Sequence, residues 1–216
     1  MLKTDFKKEI ESTLDLIKIG IDKDLIDGDI EESFKKIDRG MKGLLGLDIA
    51  TIDTLSFNSI VALISKENQY NADRYMALGE LLYFQGYIYE HLSNESGKIN
   101  YYKKAVKSFC EAYKEDNVID EKYKSHVIEM LDFLNQYDLE LDEKIIMFKL
   151  YECVQHFDKA EDVLFSMINQ SGKERKVINE GIEFYNRLKN IDEGVLEQGN
   201  LPLEEVLDSL EELKNM

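Results

Sequence analysis

Tryptophan is absent from this chain of 216 residues, proline occurs once, cysteine twice and histidine three times. Each shortage excludes something. A single proline is too little for a proline-rich linker or a disordered tail, and 44% hydrophobic residues suffice to fill a core. A chain of this length buries roughly 70% of its unfolded surface, so it needs no disulfide or metal staple. Cys110 and Cys153 form neither a CxxC pair nor a zinc-ligand spacing, and both sit in apolar helical patterns, where free cysteine acts as a small hydrophobe. No run of about 18 apolar residues exists, so no segment is expected to span a membrane. The start, Met1 to Lys8, has no apolar signal core. The expected compartment is the cytoplasm.

What the chain has in excess is negative charge: 44 acidic against 27 basic side chains, a net −17. Such a field repels phosphate backbones and anionic lipid. Nucleic acid and membrane are therefore not expected as partners, and a basic or amphipathic protein or peptide is. The one basic stretch of note carries Lys35, Lys36, Arg39 and Lys42, with Lys35, Arg39 and Lys42 on one helical face. Glu31, Glu32 and Asp38 balance it, which reads as a solvated face.

Apolar residues recur at helical spacing almost throughout, which predicts an all-α fold. The pattern Phe6, Ile10, Leu14, Leu16, Ile17, Ile21 predicts a first helix, broken at Asp27-Gly28-Asp29. A second runs from Ile30 to Leu45 and closes at Gly46. Residues 48–65 predict two short helices around Thr54-Leu55-Ser56, with Ser56 capping the second. A long aromatic-rich helix covers 71–92, and the polar cluster Ser93-Asn94-Glu95-Ser96-Gly97 reads as a loop. Helices at about 99–115, 119–136, 142–156, 158–170 and 173–190 follow, joined by short connections that make neighbours antiparallel. Residues 190–200 read as a polar connection, and Pro202 as part of the first turn of a last amphipathic helix. That last stretch, 191–216, carries eight acids and one lysine. Three segments result: 1–70 completing the core, 71–190 forming hairpins, and 191–216 as linker and capping helix, together one compact domain or two closely packed halves.

Two of these hairpins share a pattern. Gly86-x-x-Tyr89 is followed by Ala105-x-x-x-Phe109-x-x-Ala112, and Phe148-x-x-Tyr151 by Phe157-x-x-Ala160-x-x-x-Leu164-x-x-Met167. A small residue on the second helix lets the first approach, and a large one fills the gap beneath. This resembles the tetratricopeptide repeat (TPR) signature, with a loop about seven residues longer in the first copy. With Lys42-Gly43-Leu44-Leu45-Gly46-Leu47-Asp48 and Lys159-Ala160-Glu161-Asp162-Val163-Leu164-Phe165, the layout also resembles an uncharacterised family of TPR-like proteins from low-GC Gram-positive bacteria. The resemblance implies a right-handed α-α superhelix with extra N-terminal helices and a C-terminal cap, and a bacterial host. It implies no activity.

Chemistry finds little purchase. His156 follows Glu152 by four residues and His126 precedes Glu129 by three, but neither pair has an evident third ligand, and HExxH is absent. Gly40, Gly43 and Gly46 match neither a dinucleotide fingerprint nor a phosphate loop, and no nucleophile elbow occurs. No catalytic, metal or cofactor site is expected. The suggestive cluster is Tyr83, Phe84, Tyr87 and Tyr89, on a helix apolar nearly all round. Burial between two neighbours is the expected reason. The functional alternative, in a TPR register, places Tyr83, Tyr87, Glu90, Lys149 and Glu152 along a concave peptide groove, aromatic anchors among mixed charges. The leading expectation is a non-catalytic helical-repeat module that binds a protein or peptide. The rivals are a homodimer built through the C-terminal helix and an enzyme with a cleft beside the N-terminal helices.

Overall fold

The structure is a computed structural model that describes residues 3–65 and 70–216. Met1 and Leu2, which open the stretch scanned for a signal core, lie outside the described residues. Among the described residues there are twelve α-helices and no strand, so the fold is all-α. The chain divides into two compact units, Met1–Met130 and Leu131–Met216. The divide falls inside the helix that spans Glu121–Leu134.

The first unit holds α1 (Lys3–Asp27), α2 (Ile30–Leu45), α3 (Ile49–Thr54), α4 (Phe57–Ile64), α5 (Asn71–His91), α6 (Glu95–Asp116) and most of α7 (Glu121–Leu134). Local chemistry sets the early boundaries. The Asp29 side chain accepts from the Glu32 N–H and starts α2, and Gly46, at φ 70°, ends it by donating its N–H to the Lys42 carbonyl. Asp48 and Ser56 cap α3 and α4 in the same manner, accepting from the N–H groups of Thr51 and Ser59.

The centre of this unit is α5, with fifteen of its 21 residues buried. It packs against α6 on one side and against α1 and α2 on another, which is why its sequence is apolar all round. Two glycines fix its register on α6. A β-carbon on Gly79 would lie 2.6 Å from the Phe109 ring, and one on Gly86 2.4 Å from the Tyr102 ring. Seven residues forward on α5 match seven back on α6. Another four bring Glu90 to Lys98, whose ammonium donates to it at 2.5 Å. Phe109 and Tyr102 are fully buried, and such rings contribute roughly 1.5–3 kcal/mol each by leaving water.

One expectation is corrected here. Ser93–Gly97 is not a long loop: α6 begins at Glu95. Asn94 caps it by accepting from the Gly97 N–H at 2.9 Å, and Tyr89 packs where a side chain on Gly97 would be. The cluster looked like a loop because caps and loops share a composition.

The second unit holds the end of α7, then α8 (Leu141–Cys153), α9 (Phe157–Gln170), α10 (Arg175–Leu188), α11 (Glu193–Gln198) and α12 (Leu203–Asn215). The α8–α9 turn, Val154-Gln155-His156, repeats the α5–α6 turn, Leu92-Ser93-Asn94. Each has its middle residue at positive φ, 64° and 53°. The next N–H donates five residues back, His156 to Tyr151 and Asn94 to Tyr89, a Schellman closure in both. Ala160 and Leu164 are fully buried on α9. Gly181 on α10 lies against both Leu164 and Leu213. The expected polar connection over 190–200 contains α11, started by the Asp192 side chain. Pro202 caps α12 from just outside, and Val206, Leu210 and Leu213 are buried where α12 packs on α10. Leu207 on the same helix is 48% exposed.

Candidate functional site

The five candidate groove residues are divided between the two units. Tyr83, Tyr87 and Glu90 belong to the first unit, Lys149 and Glu152 to the second. Tyr83 is buried at 4% exposure, and its hydroxyl donates to Glu129 at 2.8 Å. Tyr87 is half-buried beneath α1. The Lys18 ammonium lies 4.4 Å over its ring, and burial, with Asp22 next to it, pushes its phenol up. Glu90 is exposed but takes the Lys98 ammonium. Glu152 accepts both arms of the Arg187 guanidinium, at 2.7 and 2.8 Å. Lys149 is half-buried on α8.

Tyr83 instead belongs to a network inside the first unit that the sequence analysis did not find. His126 on α7 lies flat on the Tyr83 ring, 4.2 Å between centroids, and Tyr83 stacks in turn on Tyr102 at 5.7 Å. The His126 Nδ1 hydrogen-bonds Glu80 at 2.9 Å, while Tyr102 donates to Glu129 at 3.0 Å. Glu80 is 2% exposed. Burial pushes its carboxyl up from the ordinary 4.5, against the opposing pull of His126. Burial, and next to it Glu129, also pushes the Tyr83 and Tyr102 phenols up, so both stay protonated and donating. The network binds α5, α6 and α7 together. Among the described residues no group of three or more His, Cys, Asp or Glu side chains is placed to hold a metal ion.

The basic stretch on α2 is neutralised pair by pair. Lys35 meets Glu31 at 2.6 Å, Lys42 meets Asp38 at 2.7 Å, Arg39 meets Glu32 and Lys36 meets Asp24. Each of these four cations thus has a carboxylate partner within α1 or α2.

The concave feature lies on the other side of α5. A hollow of about 370 Å³ opens between α2, α3, α5 and α6. Its wall is an aromatic ladder: Phe34 tilts against Tyr89 at 5.4 Å, and Tyr89 stacks on Tyr101 at 5.4 Å and 14°. Asp53 holds the ladder's end, accepting from the Tyr101 hydroxyl at 2.8 Å and the Lys104 ammonium at 2.9 Å. Asp38 stands on the opposite rim and accepts the Ile49 N–H at 3.1 Å. Its bonds to Lys42 and Ile49 keep that carboxyl below the usual range, hence charged. A second hollow of about 520 Å³ shares Asp53, Tyr89 and Tyr101, and is lined beyond them by Asn94, Ser96 and Asn100.

A family model described as "Family of unknown function (DUF6483)" matches residues 23–216. The chain belongs to this family. No curated protein and no solved structure matches it. In this DUF6483 member the matched span takes in α2 to α12, and so every helix that lines the two hollows. Among its described residues no helix is long and apolar enough to cross a membrane.

Phe34, Asp53, Gln85 and Tyr101, which line the DUF6483 hollow, were not among the residues singled out from sequence. Gln85 stands one turn before Tyr89 on α5 and is 2% exposed. A signal for it existed: from Tyr75 to Ile88 only Glu80 and Gln85 carry an amide or a charge, and a polar group inside an apolar helix needs a partner. For Glu80 the partner is His126, 46 residues away. For Gln85 the structure gives no partner among the described residues.

Proposed function

We propose that this chain is a non-catalytic helical module that binds a basic or amphipathic peptide segment of a partner protein. The observation that carries the reading is the pair of adjoining hollows on the first unit. They share one aromatic partition, Tyr89 on Tyr101, and one carboxylate, Asp53. Aromatic faces among acceptors suit the side chains of a basic segment, and the amides of Asn94 and Asn100 suit a peptide backbone. The net charge of −17 supports the same polarity, because it draws a basic partner in and repels nucleic acid and anionic lipid.

The two like-built hairpins, α5–α6 and α8–α9, with the same three-residue Schellman turn, support a TPR-like repeat as the scaffold. In this reading α12 is the cap that such arrays require, the protein acts in the cytoplasm of a bacterial cell, and it carries out no chemistry. Calorimetry with the full chain tests the proposal, using a basic amphipathic peptide and its acidic counterpart at low and moderate salt. The basic peptide is expected to bind, with affinity falling as salt rises and falling again on Asp53→Lys. Equal binding of both peptides, or of neither, would overturn it.

A further inference from the structure

We propose that the smaller hollow is a receptor for a guanidinium group, the side chain of an arginine in the partner peptide. The inference rests on the peptide-binding reading above and adds which side chain the site selects.

The floor is Gln85. The residue is 2% exposed, and among the described residues its amide makes no hydrogen bond. Neither amide atom is sealed off, so its remaining exposure is at the tip that lines the hollow. An amide with no protein partner and an accessible tip can pair with a ligand that enters. Such a group kept at the bottom of a concavity is a waiting partner for whatever enters.

The remaining chemistry says what enters. Asp38 and Asp53 on the rim are acceptors only, and the Gln85 carbonyl oxygen is another. The single lining cation, Lys35, is held at the mouth by Glu31 at 2.6 Å. Asp53 takes two donors and Asp38 two, where an ionised carboxylate offers about four lone-pair sites, so each can accept more. The aromatic wall already attracts cations: the Lys104 ammonium lies 5.2 Å over the Tyr101 ring. A site of acceptors beside an aromatic face calls for a flat cation with several donors. Guanidinium lies flat against the exposed ring edges of the Phe34–Tyr89 wall and supplies N–H groups to Gln85 and a carboxylate together. An ammonium, a compact point charge, cannot stack or reach both in a fixed plane.

The test uses the full chain and fluorescein-labelled (Gly-Ser-Arg)4, its lysine counterpart and its citrulline counterpart, by fluorescence anisotropy at low salt. Citrulline keeps the shape and removes the charge. The arginine peptide is expected to bind at least about tenfold tighter than the citrulline peptide, the worth of one charge-assisted contact. It should exceed the lysine peptide by a few-fold. Gln85→Leu, shown by circular dichroism to be folded, should weaken the arginine peptide about fivefold and leave the lysine peptide unchanged. Asp53→Asn, on an exposed carboxylate, is the second variant and should weaken both peptides.

Equal affinity for arginine and lysine peptides, with Gln85→Leu silent, would overturn the guanidinium site and leave the basic-peptide reading standing. Failure of every peptide to bind would overturn that reading. In that case agmatine is titrated while the Gln85 side-chain amide is followed by NMR. An amide shift would show a site for a free guanidinium compound instead of a peptide arginine, and no shift would remove the site altogether.

Discussion

Replacing Gly86 with alanine tests whether close approach of α5 and α6 organises the first unit. The new β-carbon would sit 2.4 Å from two carbons of the Tyr102 ring. That ring is fully buried, with its hydroxyl on Glu129 at 3.0 Å and the Tyr83 ring stacked 5.7 Å away. It has no open direction in which to yield. Overpacking of this kind costs roughly 1–3 kcal/mol, and pulling Tyr102 off Glu129 adds about 1 kcal/mol. Alanine returns about 1 kcal/mol through helix propensity. The net loss is about 1–3 kcal/mol. Gly43 on α2 is the matched control, because no heavy atom lies within 4 Å of its would-be β-carbon. Gly43→Ala should gain about 0.5–1 kcal/mol. Thermal melts followed by circular dichroism should separate the two variants by roughly 5–15 °C for a chain of this size. Gly86→Ala melting at or above Gly43→Ala would refute the packing argument.

Other expectations follow from the buried polar groups and the second unit. The Glu80 carboxyl is raised in the folded state, so its contribution is present below 4.5 and is lost as pH climbs through its folded value. Glu80→Gln should therefore gain on wild type as pH rises from about 4.5 toward neutral; urea midpoints across that range check this, and a flat difference contradicts it. Tyr185→Phe removes a 2.6 Å bond to Glu161, leaving Ser209 at 3.1 Å as the other donor. It should cost about 1–2 kcal/mol in urea unfolding and push the Glu161 carboxyl, already raised by burial, further up. Leu213→Ala opens a cavity at fully buried contacts with α10 and should cost about 2–5 kcal/mol. Its hydrogen-exchange protection should fall in the second unit, and unchanged protection there would refute the capping role. Gln155→Gly relieves a positive φ of 64° and should stabilise by up to about 1 kcal/mol in the same melts.

The fold was legible where local chemistry marked it. Asp29 and Gly46 bracket α2, and Ser56 starts α4, because caps and left-handed closures act within a turn of the residues that announce them. Boundaries failed where one composition serves two purposes: Asn94 to Gly97 begin a helix that looked like a loop, and Asp192 starts the short α11 inside an apparent linker. The site was less legible. TPR register placed Tyr83 and Tyr87 toward a partner, yet α7 covers the first and α1 the second, and contacts over 40 residues apart leave no periodic trace. Burial of the aromatic cluster was the expected outcome and describes Tyr83 and Phe84. Tyr89, in the same cluster, is the one that walls a hollow. Gln85 was visible as a polar residue in an apolar run, but only the packing of α2 and α3 around it shows that it faces a concavity.

The central claim is that the first unit receives a basic peptide at the Tyr89–Tyr101 partition. An NMR titration of the isotope-labelled full chain with the arginine peptide addresses it most directly. The account predicts saturable backbone shifts at 31–38, 49–55 and 85–101, diminished by salt, with α8 unmoved. Shifts centred on Lys149 and Glu152, or none at the highest peptide concentration, would contradict it.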